Sequence, residues 1–110
     1  MEKKLIHINQ KLGGRLVNPS NLMFDVEQAK QIKNNPFKRN AHIVRGVAVG
    51  HPFSDANKRT TTIFITKDFQ KQGYLVDEET VVKGIKNVAR EGINHIPDIE
   101  RRLRKWYIKK

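Results

Sequence analysis

The sequence has no cysteine, which removes three classes of chemistry at once: a disulfide framework, a Cys-ligated zinc site and thiol nucleophilic catalysis. It has no apolar run near the roughly 18 to 20 residues needed to cross a bilayer, and Met1 to Gln10 lacks the apolar core of a secretory signal. A cytoplasmic setting with no membrane partner is therefore expected. Acidic residues are also scarce: 11 Asp and Glu face 22 Lys and Arg, giving a formal charge of +11 over 110 residues. Apolar residues make up 37% of the chain and mean hydropathy is -0.65, so one domain over residues 1–110 can bury a core, though a lean one. A surplus of this size favours anionic partners: nucleic acid, anionic lipid, a nucleotide phosphate or an acidic protein. Charge alone does not choose among them.

The surplus is spread along the chain, with one dense run at Arg101 to Lys110 in which Leu103, Trp106, Tyr107 and Ile108 are interleaved. The plain reading of that run is an amphipathic helix. Pro97 stands near its first turn, Asp98 and Glu100 near the positive end of the dipole, and Ile99, Leu103 and Trp106 recur at i, i+4, i+7. The competing reading is a nucleic-acid or membrane patch.

Helical periodicity organises most of the remainder. Asp77 as N-cap, Val81, Ile85, Val88 and Ala89 on one face, and Gly92 as a stop predict a helix over 77–92. Leu22, Val26, Ala29 and Ile32 predict another, ended by Asn34-Asn35-Pro36, and Ala41, Val44, Val47 and Ala48 a third from about Lys38 to Val49, broken at Gly50-His51-Pro52. The β-branched stretch Thr60 to Thr66 suggests a strand by propensity. A single helix from Asn57 to Gln72, closed by Gly73, needs no additional turn signal and is preferred. Before Leu22, Gly13-Gly14 and Asn18-Pro19-Ser20 bracket Arg15 to Val17 as a short hairpin or flap.

The chemistry concentrates in His51-Pro52-Phe53-Ser54-Asp55-Ala56-Asn57-Lys58-Arg59. An imidazole can take a proton from a hydroxyl at neutral pH. The Asp55 carboxylate is a hard oxygen ligand suited to Mg²⁺. Asn57, Lys58 and Arg59 are donors for phosphate oxygens, and a helix starting near Asn57 would turn unpaired N–H groups toward the same loop. The alternative is an ordinary capped helix start, with Asp55 or Asn57 as cap and solvated Lys58 and Arg59.

The joint pattern decides between them. It resembles the Fic/Doc signature, His-x-Phe-x-Asp/Glu-Gly/Ala-Asn-Gly/Lys-Arg. Seven matched positions, at about one in twenty each, arise by chance on the order of once in a billion. Asp55-Ala56-Asn57-Lys58-Arg59-Thr60 is most similar to the Doc, or death-on-curing, branch, and the likeness extends over about 22–108 through the Phe69 to Gly73 helix end, Asp77-Glu78-Glu79 and Ile99 to Leu103.

The resemblance implies an all-α bundle of five to six helices. It implies His51 as general base, Asp55 as Mg²⁺ ligand, Asn57 and Arg59 as phosphate binders, and Phe53 as loop anchor. Lys58, where the Fic branch has glycine, implies transfer of the γ-phosphate of ATP to a threonine or serine hydroxyl of a translation factor such as elongation factor Tu. A separately encoded antitoxin would restrain it. Fic-type AMP transfer and a basic nucleic-acid module with a non-catalytic motif are the alternatives. Two positions depart from relatives: Val49, where Doc-like chains often have a basic residue, and Thr62, where AMP-transferring chains often have arginine. Asn87 to Gly92 is similar to the self-inhibitory Fic motif but lacks its hydroxyl residue, and reads as a helix end. His7, His42 and His95 fall at no metal-ligand spacing and are expected to be surface or structural.

Overall fold

Helix formation follows the apolar spacing closely. A computed structural model describes residues 1–109, within which lie six α-helices: α1 (Glu2–Lys11), α2 (Pro19–Lys30), α3 (Pro36–Ile43), α4 (Asn57–Lys71), α5 (Glu78–Glu91) and α6 (Ile96–Trp106). Two three-residue strands, β1 (Tyr74–Val76) and β2 (Tyr107–Lys109), complete the regular structure. α3 runs on into a π-helical turn, Val44–Val49, ending where Gly50 N–H bonds Arg45 C=O at 2.9 Å. Gly50 is required there because a Cβ would lie 2.5 Å from the Gly46 carbonyl oxygen. π turns of this kind recur beside functional sites, and this one delivers the chain directly to His51.

α4 is the central helix, and it forms despite its threonines because their hydroxyls have partners. Thr61 Oγ1 donates to Asn57 C=O at 2.9 Å and Thr62 Oγ1 to Lys58 C=O at 3.0 Å, the back-bonding that lets such residues sit inside a helix. Thr60 Oγ1 accepts from Asn9 and Thr66 Oγ1 meets the Tyr107 hydroxyl. Ile65 and Phe69, one turn apart, are fully buried.

Phe69 stacks on Tyr107 with ring centroids 4.0 Å apart, and Phe37 and Tyr74 pack around the pair. That aromatic cluster ties α3 and α4 to the small sheet. On α5, Asp77 precedes the first turn and Gly92, at φ +63°, closes the last, with Gly92 N–H on Ala89 C=O and Ile93 N–H on Val88 C=O. This is a glycine-dependent helix stop. The Asn87 to Gly92 stretch is thus a helix end, as expected, and the Glu91 carboxylate is engaged by Arg102.

Three features depart from the sequence expectations. α1 carries no strong signal in the sequence, yet Leu5 and Asn9, one turn apart on it, are fully buried. The flap is not a self-contained hairpin: Leu16 bridges antiparallel to Phe53, so its partner is the motif loop. The C-terminal helix stops at Trp106, and Tyr107, Ile108 and Lys109 pair antiparallel with Val76, Leu75 and Tyr74. The all-α expectation holds apart from this ribbon, which forms because a helical Tyr107 would lose its stack on Phe69. Lys110, the last cation of the basic run, lies outside the described residues.

Candidate active site

The motif loop runs from the π turn to α4 and is fixed by backbone bonds to residues 15–18 and by side-chain bonds from Asn9, Asn21 and Asn57. Val17 and Asn18 N–H both donate to Pro52 C=O at 2.9 Å, Ser54 N–H donates to Arg15 C=O at 2.9 Å, and Arg15 N–H reaches Ser54 Oγ at 3.2 Å. Asn21 Nδ2 donates to Gly50 C=O at 2.9 Å from α2. Phe53 is only 3% exposed and anchors the loop in the core, as its expected role requires.

Two non-glycine residues, His51 at φ +51° and Ala56 at φ +60°, bracket this loop in the left-handed region. Such conformations cost of order 1–2 kcal/mol each and persist where the surroundings over-determine them. The consequence is an imidazole standing exposed at one end and a helix start at the other.

The amide of Asn57 does something its sequence role did not anticipate. Its Oδ1 accepts from Phe53 N–H and its Nδ2 donates to Phe53 C=O, both at 3.0 Å, and the residue is buried. Asn57 clasps the loop. Beside it, the main-chain N–H groups at the start of α4 and the Lys58 and Arg59 side chains are further donors suited to an anion. The first bond within α4 is Thr60 N–H to Ala56 C=O, and no side chain caps the helix. The N–H groups of Asn57, Lys58 and Arg59 therefore carry the positive end of the dipole, the usual setting for an anion.

Asp55 is exposed, and its Oδ1 accepts from Ala56 N–H at 2.8 Å. Its second oxygen has no such partner within the loop. Among the described residues no group of three His, Cys, Asp or Glu could hold a metal by itself. One carboxylate together with substrate phosphates and water is, however, the donor set that Mg²⁺ commonly takes. Asp55 fits that part.

A cavity of about 450 Å³ opens over the loop, lined by His51, Ser54, Asp55, Ala56, Asn57, Lys58, Arg59 and, from α5, Lys86. The structure thus brings His51, Asp55, Asn57, Lys58 and Arg59 to one opening, with the Asn57 amide also bonded to Phe53. Val49 packs against the core. Thr62 is partly buried, with its hydroxyl turned back along α4.

Two residues escaped sequence reasoning. Asn9, on α1, donates from Nδ2 to Asp55 C=O at 2.8 Å and to Thr60 Oγ1 at 3.1 Å; no local pattern links it to a loop 46 positions away. Lys86 is one lysine in a helix with polar residues on its outer side, and only the packing of α5 beside α4 turns it toward the motif.

The other histidines lie apart. His7 and His95 are exposed. His42 is buried, 3.3 Å from Asp25 Oδ1, which Arg45 also grips at 2.7 Å. Burial foremost, together with the nearby Arg45 and Lys38 charges, holds the His42 imidazole below its ordinary pKa against the pull of Asp25.

Compared with known proteins, residues 3–67, from α1 through the motif and most of α4, match the family model described as Fic/DOC family. No curated protein matches the chain. No helix among the described residues is long and apolar enough to cross a membrane.

Proposed function

The chain belongs to the Fic/DOC family, and we propose on that premise that it is a Doc-like toxin transferring the γ-phosphate of ATP to a threonine or serine hydroxyl of a translation factor. The observation that carries the phosphoryl-transfer reading is Lys58. It occupies the second position of an uncapped helix start and lines the cavity that His51 overlooks.

In this reading His51 accepts the proton of the attacking hydroxyl at an imidazole nitrogen. The hydroxyl oxygen forms a bond to the γ-phosphorus as the bond from that phosphorus to the β,γ-bridging oxygen breaks, and the electron pair leaves with ADP. Lys58 and Arg59 hold the non-bridging oxygens, with the N–H groups at the start of α4 behind them. Asp55 would hold Mg²⁺, which when bound neutralises phosphate charge and draws electron density from the breaking bond. Asn57 keeps the loop in register through Phe53. Asn9 holds the Asp55 carbonyl. A toxin of this kind acts beside an antitoxin protein that restrains it, and the basic surface suits an acidic partner.

The test is incubation with elongation factor Tu and ATP labelled at the γ position. Label should pass to the factor from γ-labelled ATP, stay off it with α-labelled ATP, and disappear in His51→Ala. Transfer of the α label would establish AMP transfer instead. Tight, steeply salt-dependent nucleic-acid binding that survives His51→Ala, without label on any protein, would replace the transferase reading with the binding-module one. Growth arrest on expression, relieved by co-expression of a neighbouring small open reading frame, is the matching result in cells.

A further inference from the structure

A second cavity, of about 230 Å³, adjoins the first and is lined by Lys58, Arg59, Thr62, Ile63, Val82 and Lys86. The two openings share three cations, Lys58, Arg59 and Lys86, and differ in their remaining walls. The first has the imidazole, hydroxyl and carboxylate of the loop. The second has the aliphatic side chains of Ile63 and Val82, and the Thr62 hydroxyl is already engaged by Lys58 C=O.

Val82 and Lys86 are one turn apart on α5, so they sit on the same flank of that helix. That flank adjoins the buried face formed by Val81, Ile85 and Val88. Six cations, Lys30, Arg39, Arg45, Arg101, Arg102 and Arg104, lie within ion-pair distance of a carboxylate. Lys58, Arg59 and Lys86 are among those of the described residues that do not, and they are the three that share the two openings. The Asp55 carboxylate stands beside them in the first opening and no acid lines the second, so three positive charges converge with one negative charge at most, and a bound anion would relieve their repulsion.

We propose that Lys86 is a nucleotide-binding residue. It takes the phosphates that are not transferred, while the nucleoside rests on Ile63 and Val82 in the adjoining apolar recess. The assignment deepens the transferase reading and rests on its nucleotide. It differs from it in placing a ligand contact on α5, outside both the motif and the matched residues 3–67. The chemistry that fits the pair of cavities is a polyanion with a flat apolar end: the polar opening accommodates the phosphate chain, and the recess accepts a ring.

The experiment is calorimetric titration of the full chain with Mg-ATP and, separately, with inorganic tripolyphosphate, using wild type, Lys86→Ala, Lys86→Arg and Val82→Ala. Thermal melts of each variant serve as the folding control. Lys86→Ala should weaken both ligands about tenfold, as expected for loss of one contact to a charged group, and Lys86→Arg should stay within about twofold of wild type. Val82→Ala should weaken Mg-ATP about threefold and leave tripolyphosphate unchanged. Unaltered Mg-ATP affinity in a folded Lys86→Ala protein overturns the assignment, and equal loss of both ligands in Val82→Ala overturns the placement of the nucleoside. Because turnover is not the readout, a wild type that binds Mg-ATP but modifies no protein would refute transfer while leaving Lys86 in its role. A wild type with no affinity for Mg-ATP would overturn both.

Discussion

Replacing Asn57 with alanine separates a loop clasp from a phosphate ligand. The substitution leaves Phe53 N–H and C=O without their partners in a place where Phe53 is 3% exposed. Each orphaned buried group costs about 1–3 kcal/mol, and partial entry of water brings the pair to about 2–4 kcal/mol. Unfolding entropy of about 2.1 cal/mol/K per residue amounts to about 0.23 kcal/mol/K for a chain of this length. The melting temperature should accordingly fall by about 9–17 °C.

Asn57→Asp should fall comparably, because one oxygen can still accept from Phe53 N–H while the other faces the Phe53 carbonyl as a second acceptor. Lys58→Ala, on the exposed side of the same turn, should melt within about 2 °C of wild type, since surface substitutions of this kind change stability little. The assay is a thermal melt by circular dichroism without nucleotide. An Asn57→Ala protein that melts within about 3 °C of wild type and loses only nucleotide affinity would refute the clasp.

Gly50→Ala drives a Cβ to 2.5 Å from the Gly46 carbonyl, so a loss of roughly 1–3 kcal/mol is expected as a reduced denaturation midpoint. Ala56→Gly relieves a left-handed alanine at φ +60° and should be neutral or stabilising by up to about 1 kcal/mol, measured in the same way; a clear loss would show that the methyl group packs in a way that outweighs the backbone relief. His42 is held below its ordinary pKa, so its neutral form belongs to the folded state and the unfolded chain binds the additional proton. The stability this confers is present above about pH 6.5 and is lost as pH falls through the lowered value. His42→Gln should flatten the stability profile between about pH 7 and 5, and an unchanged slope would assign it to other groups.

The parts of the fold legible in the sequence are those with a strong local cause. α5 announces itself through Asp77, the Val81-Ile85-Val88 face and Gly92, and the structure closes it at those residues. α4 was readable only by preferring continuity over the propensity of its threonines, and the reason it succeeds lies in hydroxyl bonds that no propensity scale contains. α1 was missed because its buried face joins an asparagine to Leu5, and Asn9 is buried for the sake of a distant carbonyl. The end of α6 was misplaced because a ring four residues past Leu103 is held by Phe69, a contact across 38 positions. At the site, residue identity and spacing located the opening. They could not show that the Asn57 amide also clasps Phe53, or that the packing of α5 brings Lys86 to the same opening.

The pairing of residues 15–18 with the motif loop is made by main-chain N–H and C=O groups, with Ser54 Oγ the one side-chain atom among those contacts. Arg15 and Val17 themselves point outward, Val17 with 52% of its surface exposed. Positioning and identity are thereby decoupled along this segment: the side chains at 15 and 17 can be exchanged without re-solving the geometry of the loop they brace.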